Sequence, residues 1–574
     1  MTHVVSMVLF ILGFIYLGVN LKEVQVDGAS RFSYENNKQS VRRVQTCAPR
    51  GLILDSKGKV LAANRKSVSI ILSTSKFQKR SWNKTYAAIS NALKKVSATI
   101  NRPVMVSEKT IRRHLNQQLA MPLVAWTDID FETLSRFAEH EREFPGFSVV
   151  ETEERVYPNG ALASHLLGYV GREVVKQDTG DEKINFAERE MRGRSGVEHY
   201  YDSYLRGVPG QDQLTVDARG YTVAREEVKA PTRGLDLKLN LDLDIQEEVE
   251  KQLEGQRGAC VVLDPRDGKV LAMASAPGYD PNEFEPFLPA ALYEQLAADP
   301  KKPLLNRACG GAYAPGSTFK PITALAGLSQ GVPPDEELFC SGVYEIGSMK
   351  LHCARRWGHG IENMRTALRD SCNPYFCNLG LEAGTNALIT AAHTMGLGKK
   401  TGIDFGVDMA GVVPTHEWKM STYHEAWYPG DLAQMSIGQS MLLVSPLQMA
   451  RVAGAVGTGY LVTPQLRAGL EPNKVKLPFP EEDLQVVRDG MKLVVSDGSG
   501  KQGGKDVSVQ VAGKTGTAEV GKGETRRKNT WFIAFAPADK PTVAVAMVIE
   551  YGQSGSGTTA PRVGAVLRRI FNHG

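Results

Sequence analysis

The sequence predicts an α+β protein with a five-stranded antiparallel sheet in its second half and one membrane-spanning helix near its start. Three observations carry this. Two strand patterns near residue 260 are followed by helical stretches, then by three more strand patterns and a closing helix. An uncharged apolar run occupies Val4 to Leu21. At 574 residues, the chain is also too long for one hydrophobic core.

In the second half, Ala259 to Leu263 reads as a strand, Asp264-Pro265-Arg266-Asp267-Gly268 as a turn, and Lys269 to Ala274 as the returning strand. The later strands are expected at Val507 to Ala512, Thr530 to Ala536 and Thr542 to Tyr551, with a helix over Ala560 to Phe571. Between the groups, 317–329 and 374–396 carry helical spacing. In the first half, 22–45 reads as a polar stalk and Arg50 to Leu61 as a hairpin turning at Gly58. Residues 84–145 look helical, and 174–196 are so polar that they read as an exposed insertion. Pro231-Thr232-Arg233-Gly234 is a linker, which places boundaries at 1–21, 22–234 and 235–574.

Eighteen helical residues from Val4 to Leu21 rise about 27 Å, enough to cross a bilayer core of about 30 Å. A cleaved signal peptide is the competing reading, but Lys22-Glu23-Val24-Gln25 follows without a small-x-small cleavage site. The segment is therefore expected to stay as an anchor. With Lys22 alone beside it, the positive-inside rule does not orient it. A net charge of +5 over the whole chain gives no reason to expect nucleic acid as a partner.

Chemistry is expected first at Ser317-Thr318-Phe319-Lys320. A spacing of three on a helix puts serine and lysine on one face, where a desolvated lysine can take the hydroxyl proton. Pro321 is tolerated only in a first helical turn, which sets Ser317 at a helix start where the dipole favours developing negative charge. The same spacing occurs at Ser56, Ser73 and Ser81, where surface pairs are the plainer reading; only Ser317 lies in a Pro-Gly-flanked helix start. Ser371-Cys372-Asn373 precedes Pro374, so Asn373 is expected as an N-cap. Lys514-Thr515-Gly516-Thr517 lies within or beside a strand, where glycine admits a ligand backbone and lysine with two hydroxyls can grip a carboxylate. The rival Lys400-Thr401-Gly402 lacks the fourth hydroxyl, follows Gly396-Leu397-Gly398 and reads as a turn.

In this order the three motifs are the signature of penicillin-binding proteins and serine β-lactamases. The chain resembles class B penicillin-binding proteins over nearly its full length. Matching stretches are Arg50-Gly51 with Asp55, Tyr157-Pro158-Asn159-Gly160, His165 to Val170, Gly193-Arg194-Ser195-Gly196-Val197-Glu198, Ser436-Ile437-Gly438-Gln439 and Pro446-Leu447-Gln448-Met449. The 174–196 segment and Trp357-Gly358-His359-Gly360 make it look most like the elongation-type branch, penicillin-binding protein 2, and less like the division-type enzyme.

That resemblance implies a transpeptidase domain on an elongated amino-terminal pedestal, with the catalytic domain on the outer side of the inner membrane. It implies that Ser317 attacks the penultimate D-Ala carbonyl of a stem peptide with Lys320 as base. Ser371, Asn373 and Lys514 relay the proton and orient the substrate, while Thr515, Gly516 and Thr517 receive the terminal carboxylate. The Ser317 and Thr517 N–H groups form the oxyanion hole. β-Lactams would acylate the same serine, and no cofactor is needed for catalysis. No glycosyltransferase domain is apparent, so the implied partner is a RodA-type membrane glycosyltransferase with the elongation machinery. The alternatives are a D,D-carboxypeptidase or β-lactamase using water, and a non-enzymatic activator of the polymerase. The anchor and large first domain argue against the former, intact motifs against the latter.

Four of seven cysteines crowd into 340–377. Cys340, Cys353, His359 and Cys372 form a tetrahedral zinc set, and a structural zinc is expected there, as in some elongation-type relatives. The competing reading is a Cys340–Cys353 disulfide across a hairpin turning at Gly347-Ser348, which leaves His359 and Cys372 unexplained. Cys260, Cys309 and Cys377 are expected as buried small hydrophobes.

Overall fold

A computed structural model describes residues 2–27, 40–174, 184–285, 289–521 and 526–572. The helix Thr2–Lys22 is followed by a turn over Glu23–Asp27; Val4–Asp27 has a mean hydropathy of 2.3 and is the single candidate membrane span among the described residues. Half of the expected stalk, 28–39, lies outside the described residues.

Apolar runs in the second half produce most of five strands, with β1 and β5 buried at every position: β1 (Gly258–Leu263), β2 (Val270–Ala276), β3 (Ala512–Val520), β4 (Arg527–Ala536) and β5 (Val543–Ile549). All pairings are antiparallel, in the order β2-β1-β5-β4-β3, which leaves β3 on an edge. The closing helix is Ala560–Phe571, as expected. The third strand is a correction. It starts at Ala512, where the expected strand ends, because 507–511 is an irregular segment whose Val507 and Val509 merely pack against the core. The alternation Val507-x-Val509-x-Val511 mimics a strand, whereas the true one carries polar residues along its open edge.

The described chain from 40 to 239 forms three sheets. The hairpin expected at Arg50–Leu61 is present, Ile53–Leu54 pairing with Val60–Leu72. Helices Trp82–Ile100, Glu108–Gln117 and Phe131–Glu139 account for the helical spacing over 84–145 and enclose a separate core around Ile89, Leu93, Trp126 and Phe137. Of the expected insertion, 175–183 lies outside the described residues, but its flanks are not a loose loop. Val170–Val174 pairs with Arg189–Gly193, and cross-strand ion pairs such as Arg194–Glu173 at 2.7 Å satisfy the charges that made the segment look exposed.

Two of the quoted stretches meet at a buried charge. The Glu198 carboxylate accepts the Arg50 Nε–H and the Arg155 Nε–H, both at 2.7 Å, with all three side chains at most 1% exposed. Burial alone would raise the Glu198 pKa; the two guanidiniums override it and hold it below the usual carboxylate range. Arg155 also donates to the Gly51 carbonyl at 2.7 Å and Arg50 to Asp202 at 2.8 Å. The cluster joins the first hairpin, the strand Phe147–Val156 and the helix Gly196–Tyr200. Nearby Ile53, Tyr157, Val197 and Leu237 continue into the same apolar cluster as Ala259, Val261 and Phe319, so the two halves share a core.

Glu198→Gln leaves buried Arg155 without a carboxylate partner and Arg50 with Asp202 alone. We expect it to cost about 3–5 kcal/mol, the usual penalty for breaking a buried pair. Thermal unfolding of the full chain should show a lowered midpoint, and an unchanged midpoint would contradict the assignment.

Candidate active site

Ser317 sits in a 3-10 turn, Gly316–Phe319, that runs into the α-helix Lys320–Ser329 with Pro321 in its first turn. The helix start is thus one turn later than the sequence indicates, yet proline fixes it for the expected reason. The turn is wedged between backbones. A Cβ on Gly438 would lie 2.0 Å from the Gly316 carbonyl oxygen, and one on Gly516 would lie 2.8 Å from Thr318 Cγ2 and 2.9 Å from the Pro315 oxygen. The Gly316 N–H donates to the Gly438 carbonyl at 2.8 Å, and the Trp531 indole N–H donates to the Ala314 carbonyl at 3.0 Å.

Lys320 is fully buried, with its ammonium bound at the Ser371–Asn373 corner. It donates to the Ser371 carbonyl at 2.6 Å, to Asn373 Oδ1 at 2.7 Å and to Ser371 Oγ at 3.3 Å. Lys514, also fully buried, donates to Ser371 Oγ and to the Thr515 carbonyl, each at 2.9 Å. Burial pulls Lys320 down to about 8, while the neighbouring cysteines partly offset the fall. Burial, and then the charge of Lys320, push Lys514 well below the ordinary lysine value. All three motifs therefore meet at one residue, with Ser317 half-buried beside them.

Ser371 closes the helix Met364–Asp370 in the left-handed region, at φ 57°. Asn373 is a second correction. Cys372 is the N-cap and Asn373 the first residue of the helix Asn373–Ala383. Its amide is engaged elsewhere, accepting from Lys320 and donating to the His352 carbonyl at 2.8 Å. The site's needs displace the capping role.

On β3, alternation sends Lys514 and Gly516 to the face of the Ser317 turn and Thr515 and Thr517 to the other. The Thr517 carbonyl accepts from the Gln439 amide at 3.1 Å, and Thr517 Oγ1 accepts the Gly555 N–H at 3.3 Å. The rival Lys400-Thr401-Gly402 is a turn: the Thr401 hydroxyl and the Gly402 N–H both donate to Asp408, at 3.1 and 2.9 Å. Ser81 is an ordinary cap that accepts the Lys84 N–H.

The hairpin Val343–Ile346/Met349–His352 turns at Gly347-Ser348, and with the ribbon Leu338–Cys340/Gly360–Glu362 it carries Cys340, Cys353 and His359 to Cys372. The four ligand atoms lie within 4.8 Å of one another. His359 Nδ1 is 3.4 Å from Cys353 Sγ and 3.7 Å from Cys340 Sγ, close to the separation of about 3.7 Å that tetrahedral bonds of about 2.3 Å require. All seven cysteines are free thiols. A hydrogen bond from Cys372 holds the Cys353 thiol down to about 5 and raises Cys372 in exchange. The Asn373 N–H also points at Cys353 Sγ, at 3.4 Å. Cys260, Cys309 and Cys377 are buried in the core.

Residues 258–571 match the penicillin binding protein transpeptidase domain family, and residues 45–239 the penicillin-binding protein dimerisation domain family. The chain belongs to the penicillin-binding proteins. It is 30% identical over 587 residues to the peptidoglycan D,D-transpeptidase MrdA of Escherichia coli, covering 96% of this chain and 90% of that one. The fold is similar to that of penicillin-binding protein 2 in its complex with MreC from Helicobacter pylori, at TM-score 0.79 and 28% identity over 93% of this chain and 99% of that one. It is also similar to a chain of a solved peptidoglycan synthase complex that coordinates polymerization and crosslinking, at TM-score 0.73 and 28% identity over 99% of this chain and 98% of that one.

Two contacts escape a reading of the sequence. Gln439 lies in a quoted stretch, but nothing marks its side chain for the edge of β3. Ser499 touches Thr515 from a turn more than ten residues upstream, in a Gly-Ser-Gly that reads as ordinary loop punctuation.

Proposed function

We infer that this protein is an elongation-type peptidoglycan D,D-transpeptidase that forms an acyl-enzyme on Ser317. The observation carrying this is the convergence of Lys320, Asn373 and Lys514 on Ser371 beside the Ser317 turn, in a chain that matches a transpeptidase relative almost end to end. Lys320, neutral in part near pH 8, takes the Ser317 proton as Oγ attacks the penultimate D-Ala carbonyl. The Ser317 and Thr517 N–H groups hold the oxyanion, a contribution of about 3–4 kcal/mol per donor. As the C–N bond breaks, Ser371 passes the proton to the departing D-Ala nitrogen, and Asn373 and Lys514 hold Ser371 in place. The amine of a second stem peptide then attacks the ester and gives a proton to Lys320, which returns it to Ser317 Oγ as the C–O bond breaks. Water in place of that amine gives a D,D-carboxypeptidase side reaction, and a β-lactam in place of the peptide leaves a stable ester.

Because β3 is an edge strand, an extended peptide can lie along it, its carboxylate reaching Thr515 and Thr517 with Gly516 beneath. We place the domains at 1–21, 22–234 and 235–574, in keeping with the families matched at 45–239 and 258–571. The apolar helix anchors the chain in the inner membrane with the catalytic domain outside, where its substrate is. The MreC and synthase complexes of the similar structures support a place in the elongation machinery, beside a RodA-type glycosyltransferase. Catalysis needs no cofactor.

Cys340, Cys353, His359 and Cys372 would hold a structural zinc, since four close N and S donors leave no open position. The ion would supply no chemistry; its ligands pin the loop bearing Ser371 and Asn373.

Intact-mass analysis of the full chain with penicillin should show one adduct, absent from Ser317→Ala and slowed about 10²–10⁴-fold in Lys320→Ala. An adduct surviving on Ser317→Ala would refute the assignment. For the metal, protein purified without added zinc should carry one equivalent, and chelation should lower thermal stability and acylation rate together. Metal-free protein with a Cys340–Cys353 disulfide would contradict that proposal.

A further inference from the structure

The two threonines of β3 are each held from behind. Thr515 and Thr517 share one face of the strand, and Thr515 is only 6% exposed. Ser499 Oγ lies 2.6 Å from Thr515 Oγ1, and either oxygen can be the donor. Thr517 Oγ1 already accepts a backbone N–H, from Gly555 at 3.3 Å, so its own hydrogen is left to point elsewhere. Ser499 is held firmly. It sits in the turn between the helices Glu481–Ser496 and Lys501–Gly504, where the Gly498 N–H donates to the Leu493 carbonyl at 2.9 Å and the Gly500 N–H to the Val494 carbonyl at 2.8 Å.

A carboxylate only accepts hydrogen bonds, so a threonine that binds it must donate. Thr515 can do so only if its bond to Ser499 runs from serine to threonine. We propose that Ser499 is a positioning residue: by donating its hydroxyl hydrogen to Thr515, it commits the Thr515 hydroxyl to donate to the carboxylate of the substrate. Accepting one bond also polarises the hydroxyl and strengthens the bond it gives. The stiff χ1 of threonine keeps the oxygen between its two partners. Ser499 and the Gly555 N–H thus play the same part for the two threonines, and together they favour donors that end in a free carboxylate. This rests on the reading that Thr515 and Thr517 bind that carboxylate.

The test uses the full chain in detergent and compares acylation rates with a penicillin and with its methyl ester, in which the carboxylate is masked. The ratio of the two rates is internal to each preparation, so a loss of folded protein cancels. Ser499→Ala should lower the free-acid preference about five- to tenfold, the worth of one ordinary hydrogen bond, here the one from Ser499 to Thr515. Ser499→Thr, which keeps a hydroxyl, should hold the preference within about twofold of the original on the same scale. An unchanged ratio in Ser499→Ala, or an equal fall in Ser499→Thr, overturns the proposal. Thr515→Ala separates the two levels of the argument. If its ratio is unchanged, the carboxylate reading fails and the role of Ser499 falls with it. If its ratio collapses while that of Ser499→Ala does not, Ser499 alone is misassigned.

Discussion

Two lysine ammoniums withdrawn from water meet at Ser371, one from the helix after Ser317 and one from the edge strand. Burying either charge is costly, and burying both side by side adds repulsion. The site meets the cost with acceptors: two carbonyls, an amide oxygen and the Ser371 hydroxyl take the ammonium hydrogens. The remaining strain is relieved by loss of charge, which is why burial lowers both lysines. A neutral amine held against two hydroxyl-bearing elements is what nucleophilic attack by serine requires. The left-handed backbone of Ser371, the displaced cap at Asn373 and the sulfur cluster at Cys372 follow from holding that meeting point still.

Distant parts of the molecule serve the same end. The Glu198 cluster ties the first hairpin to the strand and helix beside it, and its apolar surroundings run unbroken into the core under the Ser317 turn. The lobe around Trp126 and Phe137 has a core of its own. The shared core thus connects the first hairpin to the sheet that carries the edge strand.

Much of this was legible in the sequence because it rests on local rules. Pro321 fixes a helix start wherever it falls, the closing helix follows its apolar spacing, and Gly347-Ser348 forms the expected hairpin turn. Readings failed where tertiary demands overrode local ones. The edge strand β3 is polar because it faces a groove, so the alternation of valines ahead of it looked more strand-like than the strand itself. Asn373 has the composition of a cap, but its amide is taken by Lys320. Lys320 opens the helix after the Ser317 turn, and its ammonium binds Ser371, whose position no local pattern reveals. Ser499 and Gln439 act across sequence separations that a single chain read in order cannot connect.

The central claim is that burial against Ser371 leaves Lys320 neutral in part near pH 8, ready to take the Ser317 proton. The most direct measurement is the rate constant for acylation of the full chain by a labelled penicillin between about pH 6 and 10, the range over which a depressed lysine titrates. A base must be deprotonated to act, so the rate should rise through a single ionisation at about 8 and level off above it. A rate that is flat across this range, or that falls as pH rises through it, would contradict the account.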